Sequence, residues 1–270
     1  RRFYEKEYRL ADSHSKGRNE ALKENETFQT IDPSAYKAVM ERRMTSRLDF
    51  SNRIGEFKFT VKGNDMTFKE IKYETNVQFF TWNMDLNEIT IGQRGSSGNR
   101  FFSTAERDYE DDERFNFLVP VATYTGQELF CEEVKEINTA DATIQILDKA
   151  GKVTVRSTNS NKSKIDALEN TKLVIAPKDS AGSDISYHEI YNAKVRIHGA
   201  QTYEAWGDFD FINSQNKKYQ VYMDSVSTVV DRKTNKGTTH AWGRVGEEIT
   251  FDEHFAYKGR LGILAGRQLL

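Results

Sequence analysis

Two aspartates and two tryptophans in the C-terminal half of the chain are the side chains best suited to chemistry. Asp208 and Asp210 stand two residues apart, so in a β-strand they share one face with their backbones about 6.5–7 Å apart. Two carboxylates at about 5–9.5 Å can hydrolyse a glycoside, one as acid and one as base or nucleophile. Trp206 and Trp242 add aromatic rings of the kind that stack on sugars. These four residues are the candidate ligand-binding set.

The alternation of residue types places both aspartates on the solvent side. Phe209 and Phe211 take the buried positions of the same strand, which leaves Asp208 and Asp210 on the wet face. An exposed strand does not supply the raised pKa that the acid of a catalytic pair needs. The sequence therefore favours a surface role for the aspartates over a catalytic one. Two interpretations of the tryptophans stay open: packing beneath a loop or neighbouring repeat, and contact with a sugar or partner.

Other reactive groups are scattered. Cys131 is the only cysteine, which excludes an internal disulfide and a cysteine-based zinc site, and the glutamates after it oppose thiolate formation. Asp252 and His254 share a strand face, but no third metal ligand is specified.

The acidic run over 106–113 contains no turn glycine and is interpreted as a solvated loop, with calcium binding as the alternative. No nucleophile elbow or phosphate loop is present. We expect no cofactor and no metal, and the sequence favours a non-enzymatic protein over an enzyme.

Composition narrows the possible partners. The 270 residues are 37% hydrophobic, 30% charged and 12% aromatic, which is typical of a globular chain with aromatic-rich sheets. The formal charge is −2 and the pI is about 6.3, so no basic field favours nucleic acid or an anionic membrane. No window approaches the roughly 18 apolar residues of a transmembrane helix.

Hydrophobic periodicity predicts a mainly β fold. Ala193, Val195 and Ile197 alternate with charged residues, and polar turns separate many similar short runs. An arm and a helix are expected over residues 1–54, with the helix at 35–48 after the Asp32-Pro33 start signal. Residues 55–270 are expected to form the β domain, divided near 93–114 if at all. The expected architecture is a repetitive antiparallel sheet, or one like a solenoid or jelly roll.

One short sequence occurs twice. Ala-Trp-Gly stands at 205–207 and again at 241–243, which is 36 residues later. Repeats at this spacing are typical of stacked supersecondary units, each burying its face on the next. A stack predicts that both copies occupy equivalent positions of neighbouring units. A sugar site predicts instead that tryptophans and carboxylates gather in one groove.

Four segments carry a family resemblance: ADATIQI at 140–146, NAKVRI at 192–197, YEAWGDFDF at 203–211 and FAYKGRLGIL at 255–264. They resemble the β-strand repeats of the lipopolysaccharide-transport bridge proteins (OstA-like) of Gram-negative bacteria. They are also similar to large repetitive envelope proteins of Bacteroidetes-type bacteria. The resemblance implies an open β stack in the periplasm or on the cell surface, with protein, lipid or glycan partners. One departure is that the inward positions mix Tyr, Ala and Gly with Phe, whereas a lipid groove is aliphatic.

These observations together predict a non-enzymatic bacterial envelope protein that acts as a structural, assembly or lipid-handling β module. The alternative is a carbohydrate-binding or glycoside-hydrolysing β protein that uses Trp206, Asp208 and Asp210. Neither the ligand nor the oligomeric state follows from the sequence.

Overall fold

A computed structural model describes residues 39–40, 44–59, 65–104, 114–139, 141–158, 163–176, 187–199, 202–230, 237–251 and 254–264. Within these ranges the regular structure is strand only, and every strand pairing is antiparallel. The strands are β1 Val39–Met40, β2 Met44–Asp49, β3 Ile54–Phe59, β4 Asp65–Phe68, β5 Tyr73–Asn76, β6 Phe79–Asn83, β7 Glu88–Gly92, β8 Asn99–Ser103, β9 Asn116–Val119, β10 Val121–Tyr124, β11 Glu128–Glu132, β12 Glu136–Asn138, β13 Ala142–Ile146, β14 Val153–Ser157, β15 Ser163–Ile175, β16 His188–His198, β17 Thr202–Ile212, β18 Lys218–Val230, β19 Gly237–Val245, β20 Ile249–Thr250, β21 Ala256–Tyr257 and β22 Arg260–Leu264. The predicted mainly β, antiparallel architecture is confirmed.

The first fourteen strands form two layers, and successive hairpins alternate between them. The first layer has the strand order β2-β3-β6-β7-β10-β11-β14. The second has the order β1-β4-β5-β8-β9-β12-β13. The layers face each other over the core, where the rings of Phe68 in β4 and Tyr124 in β10 lie 4.6 Å apart. Each hairpin therefore pairs with the second hairpin before it in sequence, which lies in the same layer. It does not pair with the hairpin that immediately precedes it.

Continuous rows of inward side chains hold this sandwich together. One row crosses eleven strands, six of the second layer and then β15 to β19, and each member pairs in register with the next. All members are buried, as expected when alternate residues of each strand face the core. The row consists of Met66, Thr75, Phe101, Phe117, Ile137, Ile144, Leu173, Ile190, Phe209, Val221 and Val245.

Strand β15 connects the two layers. Its start, at Ser163–Ile165, pairs with β14 of the first layer, whereas its end, at Thr171–Ile175, pairs with β13 of the second. The same strand must therefore turn from one layer into the other. Pairing shifts register midway along each step from β15 to β19, as β-bulges do where strands bend. We call this row of shifts the bend line.

The predicted N-terminal helix is partly corrected. Over residues 39–40 and 44–48 the helix prediction is wrong. Val39–Met40 is strand β1 and pairs with β4, and Met44–Asp49 is strand β2 and pairs residue by residue with β3. Sheet pairing has overridden a local helical spacing, as tertiary context often does. Residues 1–38 and 41–43 lie outside the described residues, so the remaining part of the predicted arm and helix stays a prediction.

Strand pairing crosses the interval at 93–114. Strand β7, which precedes it, pairs with β10, which follows it, and β5 pairs with β8 inside the interval. A division of the β domain there stays a prediction. Among the residues that the structure describes, no helix is both long and apolar enough to span a bilayer.

Candidate functional site

The four candidate residues lie on the outer face of the long strands. In β17 the side chains of Tyr203, Ala205 and Phe209 are buried, as the sequence alternation predicts. Trp206, Asp208 and Asp210 therefore project outward. Trp242 projects from the same face of β19, two strands away.

The two Ala-Trp-Gly segments occupy equivalent positions on the bend line. Ala205 and Ala241 both pair with Val226, and Gly207 and Gly243 both pair with Met223. Strand β18 thus lies between two copies of the same local structure. The two copies are thus equivalent, but they lie on two strands of one antiparallel sheet, and the repeat itself has a structural role at the bend.

The glycines of these segments are required by close backbone approach. A Cβ atom on Gly207 would lie 2.7 Å from Ile190 Cγ2 and 2.8 Å from the Tyr191 carbonyl oxygen. A Cβ on Gly243 would lie 2.6 Å from the Tyr222 carbonyl oxygen. These separations are too short for any side chain. Glycine allows neighbouring strands to close up at the bend.

Both candidate carboxylates are held by side chains of neighbouring strands. The Asn192 amide donates a hydrogen bond of 3.0 Å to Asp208 Oδ2. The Tyr191 hydroxyl donates to Asp210 Oδ1 at 2.5 Å, and Lys218 Nζ lies 2.5 Å from Asp210 Oδ2. These contacts connect β16, β17 and β18 across the outer face. Together these contacts form a polar network that holds the three strands to one another.

The electrostatics of this pair do not suit general acid catalysis. Partial burial raises the pKa of Asp210, but the hydrogen bonds from Lys218 and Tyr191 outweigh it and hold the pKa below its ordinary value. Burial, together with the bond to Asp210, raises the pKa of Tyr191 to about 12. The acid of a glycosidase needs the opposite shift of its carboxyl pKa. The arrangement is that of a structural ion pair.

The two tryptophans have different surroundings. The Arg196 guanidinium lies 5.3 Å from the centroid of the Trp206 ring, in cation–π contact, so one face of that ring is covered. Trp242 is 43% exposed. A Cβ built on Gly262 of the adjacent strand β22 would lie 2.6–2.9 Å from three atoms of the Trp242 six-membered ring. The indole therefore rests on the backbone at Gly262.

Sequence reasoning missed the residues around Trp242. Tyr222, 54% exposed, pairs in register with Arg244 of β19, and both project outward. Asp224 Oδ1 lies 2.6 Å from an Arg260 nitrogen, and Asp224 Oδ2 lies 3.8 Å from Arg244 Nε. The alternation of Tyr219, Val221 and Met223 in the sequence was a signal for an outward Tyr222, but its proximity to Trp242 depends on strand register.

A buried polar cluster was also missed. Asp141, just before β13, accepts hydrogen bonds from the backbone N–H and the hydroxyl of Thr239 in β19, the latter at 2.8 Å. The hydroxyls of Tyr203 and Thr239 are 2.6 Å apart. Burial raises the pKa of Asp141, although the Thr239 hydrogen bonds lower it in part. The cluster is inside the protein and ties β13, β17 and β19 together.

Neither a reactive thiol nor a metal cluster stands out. Cys131 is buried, and burial raises the pKa of its thiol. Across the described ranges, no group of three or more His, Cys, Asp and Glu side chains is placed to hold a metal ion. Asp252, of the pair considered with His254, and the acidic run at 106–113 lie outside the described residues.

No protein-family model, curated protein or solved structure matches the chain.

Proposed function

We propose that this chain is a non-enzymatic structural and assembly module of a bacterial envelope. The observation that carries the proposal is the continuous two-layer sandwich, in which alternating hairpins and bent long strands share one core. The envelope location, in the periplasm or on the surface of a Gram-negative cell, rests on the sequence resemblance alone.

Packing of the interior favours the structural role over lipid handling. Phe57 and Phe80 stack at 4.6 Å with their planes 5° apart, and Phe68 and Tyr124 connect the layers at the same distance. One cluster of buried side chains extends through both layers. A lipid carrier needs an open apolar space between its sheets. Buried aromatic and aliphatic side chains together fill the described part of that space here.

An edge strand offers a route to assembly. Within the described residues β2 pairs only with β3, so one side of its backbone has no partner strand. Thr45, Ser46 and Arg47 on this strand are exposed. Such an edge presents unpaired N–H and C=O groups that a strand of another chain can extend. A second copy of the module is the simplest such partner.

Proline substitution tests this edge. Alternate residues of an antiparallel edge strand direct their N–H groups away from the sheet, so either Ser46 or Arg47 has an outward N–H. Of the variants Ser46→Pro and Arg47→Pro, one removes only an outward donor and the other disrupts pairing with β3. Sedimentation velocity over a concentration series should show oligomers of the wild type. The variant that removes only the outward donor should lose these oligomers without a change in Tm. A wild type that stays monomeric throughout would contradict assembly at this edge.

Carbohydrate binding is the second candidate. The exposure of Trp242 and Tyr222 on one outer face favours it. Its hydrolytic form has no comparable support, because Asp208 and Asp210 are engaged by Asn192, Tyr191 and Lys218.

A further inference from the structure

We propose that the patch formed by Tyr222, Asp224, Trp242, Arg244 and Arg260 binds an anionic glycan, with a sugar ring stacked on Trp242 and an acidic group paired with Arg244. We call these five residues the aromatic patch. The inference rests on the carbohydrate-binding candidate and adds the class of ligand. It also moves the site from Asp208 and Asp210 to strands β18, β19 and β22.

Trp242 supplies a flat stacking surface. Because the Gly262 backbone supports one face of its six-membered ring, the ring lies along the sheet and does not stand up from it. With 43% of the residue still exposed, the opposite face is turned to solvent. A planar aromatic ring in this orientation is suited to the C–H face of a pyranose. Glycine at position 262 is the feature that makes the orientation possible.

Tyr222 extends this surface along the sheet. It pairs with Arg244, which is two residues after Trp242 in β19, so all three side chains project from the same face. Trp242 itself pairs with Ser225, beyond the register shift at Asp224, so Tyr222 and Trp242 are diagonal neighbours on adjacent strands. Two exposed rings on neighbouring strands fit an extended ligand of more than one sugar unit.

The charges of the patch favour an anion. Arg260 neutralises Asp224 at 2.6 Å, whereas Arg244 reaches the same carboxylate only at 3.8 Å. The Arg244 side chain is 81% exposed. Beside Trp242, the two guanidinium groups of Arg244 and Arg260 face the single carboxylate of Asp224, which leaves a net positive charge there. The further carboxylate of Asp208 lies on the other side of Tyr222, on β17. A planar guanidinium is the side-chain group best matched to a carboxylate, in a bidentate pair. Of neutral and acidic glycans, the patch therefore fits the acidic class.

The test measures binding of the full chain by isothermal titration calorimetry to oligogalacturonate and to neutral maltooligosaccharide of equal length. We expect binding of the acidic oligosaccharide only, weakened about tenfold or more by Trp242→Ala and by Arg244→Gln and reduced by added salt. Gly262→Ala should also weaken binding, because its Cβ displaces the indole. Phe130→Ala removes an exposed ring from strand β11, away from the patch, and should bind as wild type.

Several results would overturn the proposal. Equal affinity for both oligosaccharides would contradict the selection of an acidic glycan by Arg244. Loss of binding in Phe130→Ala would contradict the location of the site at the aromatic patch. Binding of poly-glutamate in preference to the glycan would assign the patch to an acidic peptide. Absence of binding to either oligosaccharide would contradict the site while leaving assembly through β2 untouched, because sedimentation measures that separately. If Trp242→Ala does not fold, Arg244→Gln on the surface provides the same test.

Discussion

Gly207 and Gly243 lie on opposite sides of strand β18, and both pair with the same residue, Met223. The long strands turn from one layer into the other along this line. The turn explains why Ala-Trp-Gly occurs twice: small residues face the crowded interior of the bend, and the tryptophan between them projects outward. The fold itself therefore explains the duplicated segment, without reference to a ligand site.

Alanine at these glycines should destabilise the protein. Gly207→Ala places a Cβ against the Tyr191 carbonyl oxygen, and Gly243→Ala places one against that of Tyr222. Because backbone must move to accommodate it, each variant should lose about 1–3 kcal/mol of the free energy of unfolding. Urea denaturation measures the loss. Gly246→Ala is the matched control, since a Cβ there meets no atom within 4 Å. Equal stability of all three variants would contradict a crowded bend.

Asp141 should make the free energy of unfolding fall as the pH rises, which is opposite to the effect of a carboxyl group whose pKa is lowered by folding. Burial raises its pKa in the folded protein above the ordinary value of 3.8. The folded protein therefore binds more protons than the unfolded chain between the two pKa values. The contribution of Asp141 to the free energy of unfolding accordingly falls as the pH rises through this window, by up to about 1.4 kcal/mol per pH unit.

The variant Asp141→Asn isolates this contribution. An asparagine can accept from the Thr239 N–H and donate to the Thr239 hydroxyl, so the buried contacts are kept without a titrating group. Relative to this variant, the wild type should lose stability as the pH is raised from about 4. Denaturation midpoints over a pH series measure the difference. Parallel pH profiles of the two proteins would show that Asp141 is not perturbed by folding.

Asp210 should behave as a structural residue. Asp210→Asn removes the charge that pairs with Lys218, a partly exposed contact, so we expect a loss of about 1 kcal/mol or less. A panel of chromogenic glycosides should be hydrolysed by neither the wild type nor the variant. Hydrolysis by the wild type that disappears in Asp210→Asn would restore the catalytic interpretation.

Cys131 should be inert in the folded protein. Its side chain is buried on β11 among core residues, and burial raises the pKa of the thiol, which disfavours the reactive thiolate. Ellman's reagent at mildly alkaline pH should therefore modify no thiol until guanidinium unfolds the chain, and then one. Rapid modification under native conditions would show that the core opens at this strand.

Local periodicity explains what the sequence could predict. The outward placement of Trp206, Asp208 and Asp210 follows from alternation within one strand, and it holds. The partners of those residues depend on pairing between distant segments. Asp141 and Thr239 are 98 residues apart, and successive hairpins alternate between layers, so no local pattern encodes their contact.

Two other misses have similar causes. The helix predicted to reach Leu48 gave way to strand β2, because β3 supplies a pairing edge that is invisible to helical spacing. The aromatic patch was missed because a register shift at Asp224 sets the position of Tyr222 relative to Trp242.

Native mass spectrometry after detergent-free purification tests the structural role most directly. An interior filled by buried side chains predicts the mass of the polypeptide or whole multiples of it, without bound lipid. A stoichiometric acyl-chain adduct that survives purification would contradict the filled interior and identify the protein as a lipid carrier.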